Sequence, residues 1–147
     1  MTKKTFVLVL AALLVLFTVF AVSSEAKVMK FEHISIDVPD GWRVEEDEES
    51  YTVAFYAPGD AAALTISSYE NEGVPLLDVT KMYMDKLNGE NMVEAGNGAY
   101  MFEFTSAGGS VCTSAVMGDD KLIIFMTIIG AHDDTWKMIE SMERIKK

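Results

Sequence analysis

The sequence predicts an α+β domain with a single antiparallel sheet of about six or seven strands and one helix on each face, an α/β/α sandwich. The predicted order is β(3–4)–α–β(3–4)–α. Short segments with alternating apolar residues, ended by Gly, Pro or Asp, indicate the strands, and two segments with apolar residues at helical spacing indicate the helices. Residues 122–129, LIIFMTII, are apolar in both alternating sets. We therefore expect this strand to be central and covered on both faces.

The first 26 residues predict export. Lys3 and Lys4 precede an uncharged apolar stretch over residues 5–22, and the small residues Ser24 and Ala26 follow it. This pattern is typical of a signal peptide and its cleavage site. We expect residues 1–26 to be a signal peptide and residues 27–147 to be one domain. The alternative is an uncleaved anchor, because an apolar stretch of this length is near the lower limit for crossing a bilayer; only then is membrane contact expected.

The charge balance limits the classes of partner. The 147-residue chain has a net charge of −11, and without residues 1–26 it keeps ten Lys+Arg against 22 Asp+Glu. Such an acidic surface repels nucleic-acid phosphates and anionic lipids. Basic proteins and divalent cations remain possible partners. The single cysteine, Cys112, cannot form an internal disulfide.

The first half of the domain reads as a meander of hairpins. The segment HISIDVP places Ile34, Ile36 and Val38 on its inner face and stops at a proline. WRVEE, YTVAFYA and ALTISSY follow as further strands, separated by turn residues. In YTVAFYA, Tyr51 is expected to share the inner face with Val53.

The second half begins and ends with a helix. Apolar spacing in VPLLDVTKMYMDKLNGEN predicts a helix with Pro75 in its first turn and a C-terminal stop at Asn88-Gly89. The segments AYMFEFT, SVCTSAVM and LIIFMTII are then predicted strands. HDDTWKMIESMERIKK is predicted to be a helix with an Asp N-cap and basic residues in its final turn. Its expected apolar face consists of Trp136, Met138, Ile139, Met142 and Ile145.

This pattern resembles the PsbP-like superfamily. The opening FEHISIDVPDGW, the two meanders, the helix after EGVPL and the C-terminal helix together carry the resemblance across residues 27–147. The group includes the photosystem II protein PsbP, the Ran-binding factor Mog and bacterial envelope proteins of the DcrB and LpqN types. The resemblance implies a non-enzymatic binding or accessory role, and it implies neither a particular ligand nor a set of site residues.

The acidic run at residues 45–49 is the first candidate site, and its members are Glu45, Glu46, Asp47, Glu48 and Glu49. We expect a solvated hairpin rim, whose charge also prevents edge-to-edge pairing of strands. A docking surface for a basic partner and a weak cation site are the alternatives. The run lacks the glycine and the spaced ligands of a calcium loop.

Three aromatic residues are the second candidate site. Trp42, Tyr56 and Tyr69 can each lie on the outward side of a strand or at a turn, and together they form a candidate partner-binding patch. The alternative is that they cap the ends of the sheet beneath a helix.

The sequence contains no recognisable catalytic or metal motif. His33 and His132 are far apart in sequence and have no nearby His or Cys at metal-ligand spacing. Cys112 has no local base, as a catalytic thiol requires. The many methionines are better explained as core-filling side chains than as a Cu(I) site. We therefore expect no catalytic residue, metal or cofactor.

Together these features predict a secreted or periplasmic, non-enzymatic accessory protein that docks on an envelope protein or complex. The alternatives are an envelope hydrolase or redox enzyme with an unrecognised site, and a membrane-tethered structural subunit. The enzyme would require Cys112 to lie near His33 or His132.

Overall fold

The computed structural model describes residues 26–145, so the predicted signal peptide and the alternative anchor lie almost entirely outside the described residues. Neither helix within this part of the chain is long and apolar enough to cross a bilayer. The strands are β1 Lys27–Lys30, β2 Ile34–Val38, β3 Arg43–Asp47, β4 Thr52–Tyr56, β5 Ala62–Glu70, β6 Glu90–Glu94, β7 Tyr100–Thr105, β8 Val111–Gly118, β9 Leu122–Gly130 and β10 Glu143–Arg144. The helices are α1 Leu76–Leu87 and α2 Asp133–Ser141, and a short 3₁₀ turn covers Pro58–Asp60.

A seven-stranded antiparallel sheet forms the centre of the fold. Its strand order is β3-β4-β5-β9-β8-β7-β6, so β9 lies between strands from the two halves of the chain. Ile124 and Met126 are buried on one face of β9, and Ile123 is buried on the other. The prediction that this strand is central and covered on both faces is confirmed.

The prediction of a single sheet is wrong, because a second sheet of three strands has the order β1-β2-β10. The segment HISIDVP forms β2, which pairs with β1 on one side and β10 on the other. Ile34, Ile36 and Val38 are buried, as the alternation predicted. Alternation reports that one face of a strand is covered, but it does not identify the strand's neighbours. Five strands therefore precede α1, where three or four were expected.

Helix α1 packs against one face of the large sheet. Val79 joins a buried cluster with Phe102, Val116 and Ile123, and the ring of Tyr83 stacks on Phe125 with a centroid separation of 4.1 Å. The helix begins after Pro75, and Asn88 ends it in the left-handed conformation with φ +53°. Both boundaries agree with those predicted from the sequence, since Asn tolerates this conformation at a helix C-terminus.

The opposite face of the large sheet is covered jointly by the small sheet and α2. Met138 of α2 is 1% exposed and packs in the same cluster as Ile36 and Phe55. The small sheet shares this layer with the helix, so the predicted α/β/α description is incomplete.

Helix α2 is shorter than predicted. It ends at Ser141, and the expected final turn instead forms β10, which pairs with β2. This pairing provides hydrogen bonds for the backbone N–H and C=O groups along β2. The helix propensity of the last residues is too weak to outweigh these hydrogen bonds. The N-cap is His132, whose Nδ1 accepts a hydrogen bond from the Asp134 N–H at 3.1 Å, and not an aspartate. Trp136 is 55% exposed, so its predicted place on the buried face is wrong.

Candidate functional site

The acidic run lies on the hairpin formed by β3 and β4. Glu45, Glu46 and Asp47 end strand β3, and Glu48 and Glu49 belong to the following turn. All five residues are exposed. Glu46 pairs with the buried Val53 and therefore shares its face of the sheet, the face that also carries the small sheet. Strand alternation places Glu45 and Asp47 on the opposite face.

Local contacts already engage the outward-facing part of the hairpin. The Arg43 guanidinium forms an ion pair with Glu45 and lies 4.0 Å from the centroid of the Tyr56 ring. Asp47 accepts hydrogen bonds from the Ser50 hydroxyl at 2.8 Å and from the Glu49 N–H at 3.1 Å. The Ser50 hydroxyl and backbone N–H, with a smaller contribution from the Glu49 N–H, lower the pKa of the Asp47 carboxyl. These contacts stabilise the turn and hold Asp47 in its ionised form.

The inward-facing part of the hairpin borders a cleft of about 350 Å³ between the hairpin and the small sheet. We call this the acidic cleft. Its walls carry the acids Glu32, Glu46 and Glu48, the hydroxyl residues Tyr51, Thr52 and Ser68, and the apolar residues Phe31, Ile34, Val53 and Ile66. The sequence did not predict that two members of the acidic run share a concave surface, because residues 31–34 and 66–68 approach only through tertiary structure.

Tyr51 lies at the mouth of the cleft in an unusual backbone conformation. Its φ is +51° and its side chain is 53% exposed, whereas the sequence predicted an inward-facing strand residue. A bulky residue in the left-handed region costs roughly 1–2 kcal/mol. The Tyr51 carbonyl accepts a hydrogen bond from the Ser68 N–H at 3.1 Å, so the turn is tied directly to β5.

Ser68 is the buried polar residue of the cleft. It is only 5% exposed, and its hydroxyl has no hydrogen bond to another described residue. Among the described residues, the buried side-chain polar atoms that lack a partner are Trp42 Nε1 and Thr135 Oγ1, so the unpaired Ser68 hydroxyl keeps access to solvent at the cleft. The Ser68 hydroxyl is therefore available to a group that enters the cleft. A lone serine in a strand gave no sequence signal for this role.

The three candidate aromatic residues do not form one patch. Trp42 is 8% exposed and contacts the His132 ring edge-on at 5.3 Å between centroids. The candidate outward position of Trp42 is wrong, and the alternative position beneath a helix is observed, because the ring lies in the core beside the start of α2. Tyr69 is half-buried in the cluster beneath α1, and its hydroxyl hydrogen-bonds to that of Tyr83. Burial raises the pKa of Tyr69 well above its usual range, and the Tyr83 hydrogen bond adds to this. Tyr56 is half-buried beneath Arg43.

A second concave surface, which the sequence did not predict, lies between α2 and strands β7–β9. This groove of about 300 Å³ is mainly apolar, and its walls include Met101, Met117, Met126, Ile128, Trp136 and Ile139. The sequence analysis assigned Trp136 to the core, so no sequence pattern predicted this groove.

The residues considered for catalysis have structural contacts. Cys112 is fully buried, and its thiol faces the Ser110 carbonyl oxygen at 3.6 Å. His132 caps α2, and the His33 ring lies 6.2 Å from that of Tyr51. Within residues 26–145, no three His, Cys, Asp or Glu side chains are placed so that they could hold a metal ion.

Comparisons with known proteins identify the fold. No family model and no curated protein matches the sequence. The solution structure of cyanobacterial PsbP (CyanoP) from Synechocystis is 15% identical with a TM-score of 0.59, over 83% of this chain and 94% of CyanoP. A Bacteroides thetaiotaomicron crystal structure is 18% identical with a TM-score of 0.56 over 84% of this chain, which spans only half of that protein. Mycobacterium tuberculosis LpqN, involved in cell envelope biogenesis, is 14% identical over 80% of this chain and 87% of LpqN, with a TM-score of 0.42. The likeness to CyanoP and the Bacteroides structure, together with the seven-stranded sheet, shows that this chain has a PsbP-like fold.

Proposed function

We propose that this chain is an exported, non-enzymatic accessory protein that docks on a protein of the cell envelope through its acidic hairpin. The observation that carries the proposal is the pair Glu46 and Glu48 at the acidic cleft. Neither side chain forms an ion pair or hydrogen bond with another described residue. Two uncompensated carboxylates beside one cleft favour a cationic partner, because their potentials add there.

The remaining charges near the hairpin support a basic partner. Arg43 is the cation of strand β3, and it is engaged on the opposite face by Glu45 and Tyr56. The net charge of −11 also accelerates association with basic surfaces. Export is supported by the signal-peptide pattern of residues 1–26, and an accessory role is supported by the PsbP-like fold.

Two contacts favour binding over hydrolytic or redox chemistry. A cysteine nucleophile needs a base within hydrogen-bond reach. The Cys112 thiol instead faces a backbone carbonyl, and the His132 Nδ1 accepts from a helix N–H.

Crosslinking capture from the native envelope fraction tests this function. The full chain, tagged at its C-terminus, is compared with the double variant Glu46→Gln/Glu48→Gln. We expect one dominant envelope protein to be captured by the wild type and at least tenfold less by the variant. The mature N-terminus is read from the same sample, and we expect it near residue 27.

The matched control is Glu90→Gln/Glu94→Gln, which makes the same charge change on β6, the opposite edge strand. It should capture as much partner as the wild type. Equal capture by all three proteins would refute docking through the hairpin, and capture lost equally in both variants would show only a general charge effect.

A further inference from the structure

Resting on the proposed function, we propose that the acidic cleft binds the guanidinium group of an arginine side chain that projects from the partner protein. The cleft combines carboxylates, aromatic rings and an unpartnered hydroxyl on one concave surface.

The carboxylates supply the charge recognition. Glu46 extends from β3 on the face of the sheet that carries Val53 of β4, and Glu48 lines the same cleft from the turn two residues later. Because a guanidinium presents donors along two of its edges, it can bridge two carboxylates in one plane. Glu32 also lines the cleft but is already engaged in an interaction of its own, so the proposal does not depend on it.

Ser68 is an independent observation that points to a ligand. Its side chain is directed to the face of β5 that forms the cleft floor, where it follows Ile66 by two positions. The residue is 95% removed from solvent, and its hydroxyl has no partner among the described residues. A hydroxyl in this position can accept a hydrogen bond from a cationic N–H that enters between the hairpin and the small sheet. An apolar ligand would leave this hydroxyl unpaired.

The aromatic residues and the size favour arginine over lysine. The exposed Tyr51 ring at the mouth and the half-buried Phe31 ring offer flat surfaces, on which a planar guanidinium stacks better than an ammonium. At about 350 Å³ the cleft is near the lower end of the range for ligand pockets, roughly 300–1,000 Å³. The cleft therefore has room for one arginine side chain.

Peptide titration followed by backbone amide NMR tests the proposal. The probes are the acetylated, amidated tripeptides Ala-Arg-Ala, Ala-Lys-Ala and Ala-citrulline-Ala, together with methylguanidinium. Citrulline keeps the shape of arginine but has no charge. We expect the arginine peptide to shift the amides of Tyr51 and Ser68 and to bind at least fivefold more tightly than the lysine peptide, while the citrulline peptide shifts neither amide. Methylguanidinium carries the same single charge as the arginine peptide, and it should bind more weakly because it lacks the rest of the side chain and the backbone.

Three variants separate recognition from folding. Glu46→Gln/Glu48→Gln should weaken arginine binding by about tenfold or more, because charge-assisted hydrogen bonds are lost. Ser68→Ala should reduce it about threefold, and the control Glu90→Gln/Glu94→Gln should leave it unchanged. The two carboxylate variants should unfold at temperatures close to the wild type, since the changed side chains are exposed. Ser68→Ala should do so as well, because it removes a hydroxyl that has no hydrogen-bond partner among the described residues.

The proposal is overturned if the arginine and citrulline peptides shift the amide signals equally. It is also overturned if the shifted amides lie outside the cleft, or if no amide shifts at millimolar peptide. Tighter binding of methylguanidinium than of the arginine peptide would indicate a small-molecule ligand in place of a protein segment and would overturn it too. If partner capture depends on Glu46 and Glu48 while no arginine peptide binds, the docking function stands and the arginine inference falls. If the arginine peptide binds but no partner is captured, arginine recognition by the cleft stands and the docking function falls.

Discussion

Replacing Gly118 with alanine should strongly destabilise this domain, because a side chain there meets the backbone of the neighbouring strand. Gly118 ends β8 with φ +132°, a conformation that L-residues rarely adopt. An added Cβ would lie 1.9 Å from the Leu122 carbonyl oxygen, 2.9 Å from its carbonyl carbon and 3.2 Å from the Cα of Ile123. That carbonyl oxygen also accepts the Asp119 N–H at 2.9 Å, so it cannot move without breaking the turn.

The expected loss follows from two contributions. The backbone conformation costs a non-glycine residue roughly 1–3 kcal/mol. Relieving the overlap requires a shift of packed backbone, for which overpacking typically costs about 1–3 kcal/mol. We therefore expect Gly118→Ala to lower the free energy of unfolding by about 4 kcal/mol. For a domain of this size that corresponds to roughly 15 °C in Tm. Urea denaturation and thermal unfolding followed by circular dichroism measure both quantities.

Gly109 provides the matched control at the other end of β8. It also has a positive φ, +84°, but an added Cβ would have no atom within 4 Å. Gly109→Ala should cost only about 1 kcal/mol, because strain is partly offset by the lower entropy of the unfolded chain. Equal losses for the two variants would refute the reasoning, since steric overlap would then contribute nothing.

Three further outcomes are expected. The Ser114 hydroxyl lies 2.9 Å from that of Thr127 inside the sheet. Ser114→Ala should therefore lower the free energy of unfolding, measured by urea denaturation, by about 1–2 kcal/mol, and adding Thr127→Val should recover part of that loss. Strictly additive effects of the two substitutions would contradict the pairing. The Lys121 N–H and the Arg144 guanidinium lower the pKa of Asp119, so its ionised form contributes stability above its unfolded pKa of roughly 4, and this is lost as the pH falls through the lower folded value. Asp119→Asn should therefore be less stable than wild type at pH 7, with the difference closing towards pH 2; a gap independent of pH would exclude this linkage. Tyr51→Asn should leave Tm unchanged or raise it by a few degrees, because Asn tolerates the left-handed conformation. The same substitution should weaken binding of the arginine peptide. A large drop in Tm would show that the Tyr51 ring supports the fold.

Much of the candidate site was visible only as separate parts in the sequence. The acidic run was predicted to lie on a hairpin rim, and its five residues are indeed exposed on the β3–β4 hairpin. The sequence could not show that Glu46 and Glu48 border a cleft, because the opposite wall comes from Phe31 and Ile34 on the side of the small sheet, and the floor comes from Ser68 on β5. Single-residue exposure was also hard to predict. Trp42 is buried, as the alternative interpretation required, whereas Trp136 is exposed, contrary to its predicted place on the buried face of the helix. The packing of the small sheet and α2 decides which side of each tryptophan is covered.

The sequence by itself determined the local structure and the charge. Alternating apolar residues specified seven of the ten strands in the described part of the chain, β2–β5 and β7–β9, but not β1, β6 or β10. Pro75 and Asn88 specified the boundaries of α1, and the doubly apolar segment specified a central strand, because these features depend on neighbouring residues and on burial alone. Tertiary structure decided the pairing of the strands. It placed β2 in a second sheet and converted the end of the last predicted helix into β10, because backbone groups along β2 gain hydrogen bonds only from segments that are distant in sequence. The acidic cleft exists for the same reason, since its two walls belong to different sheets.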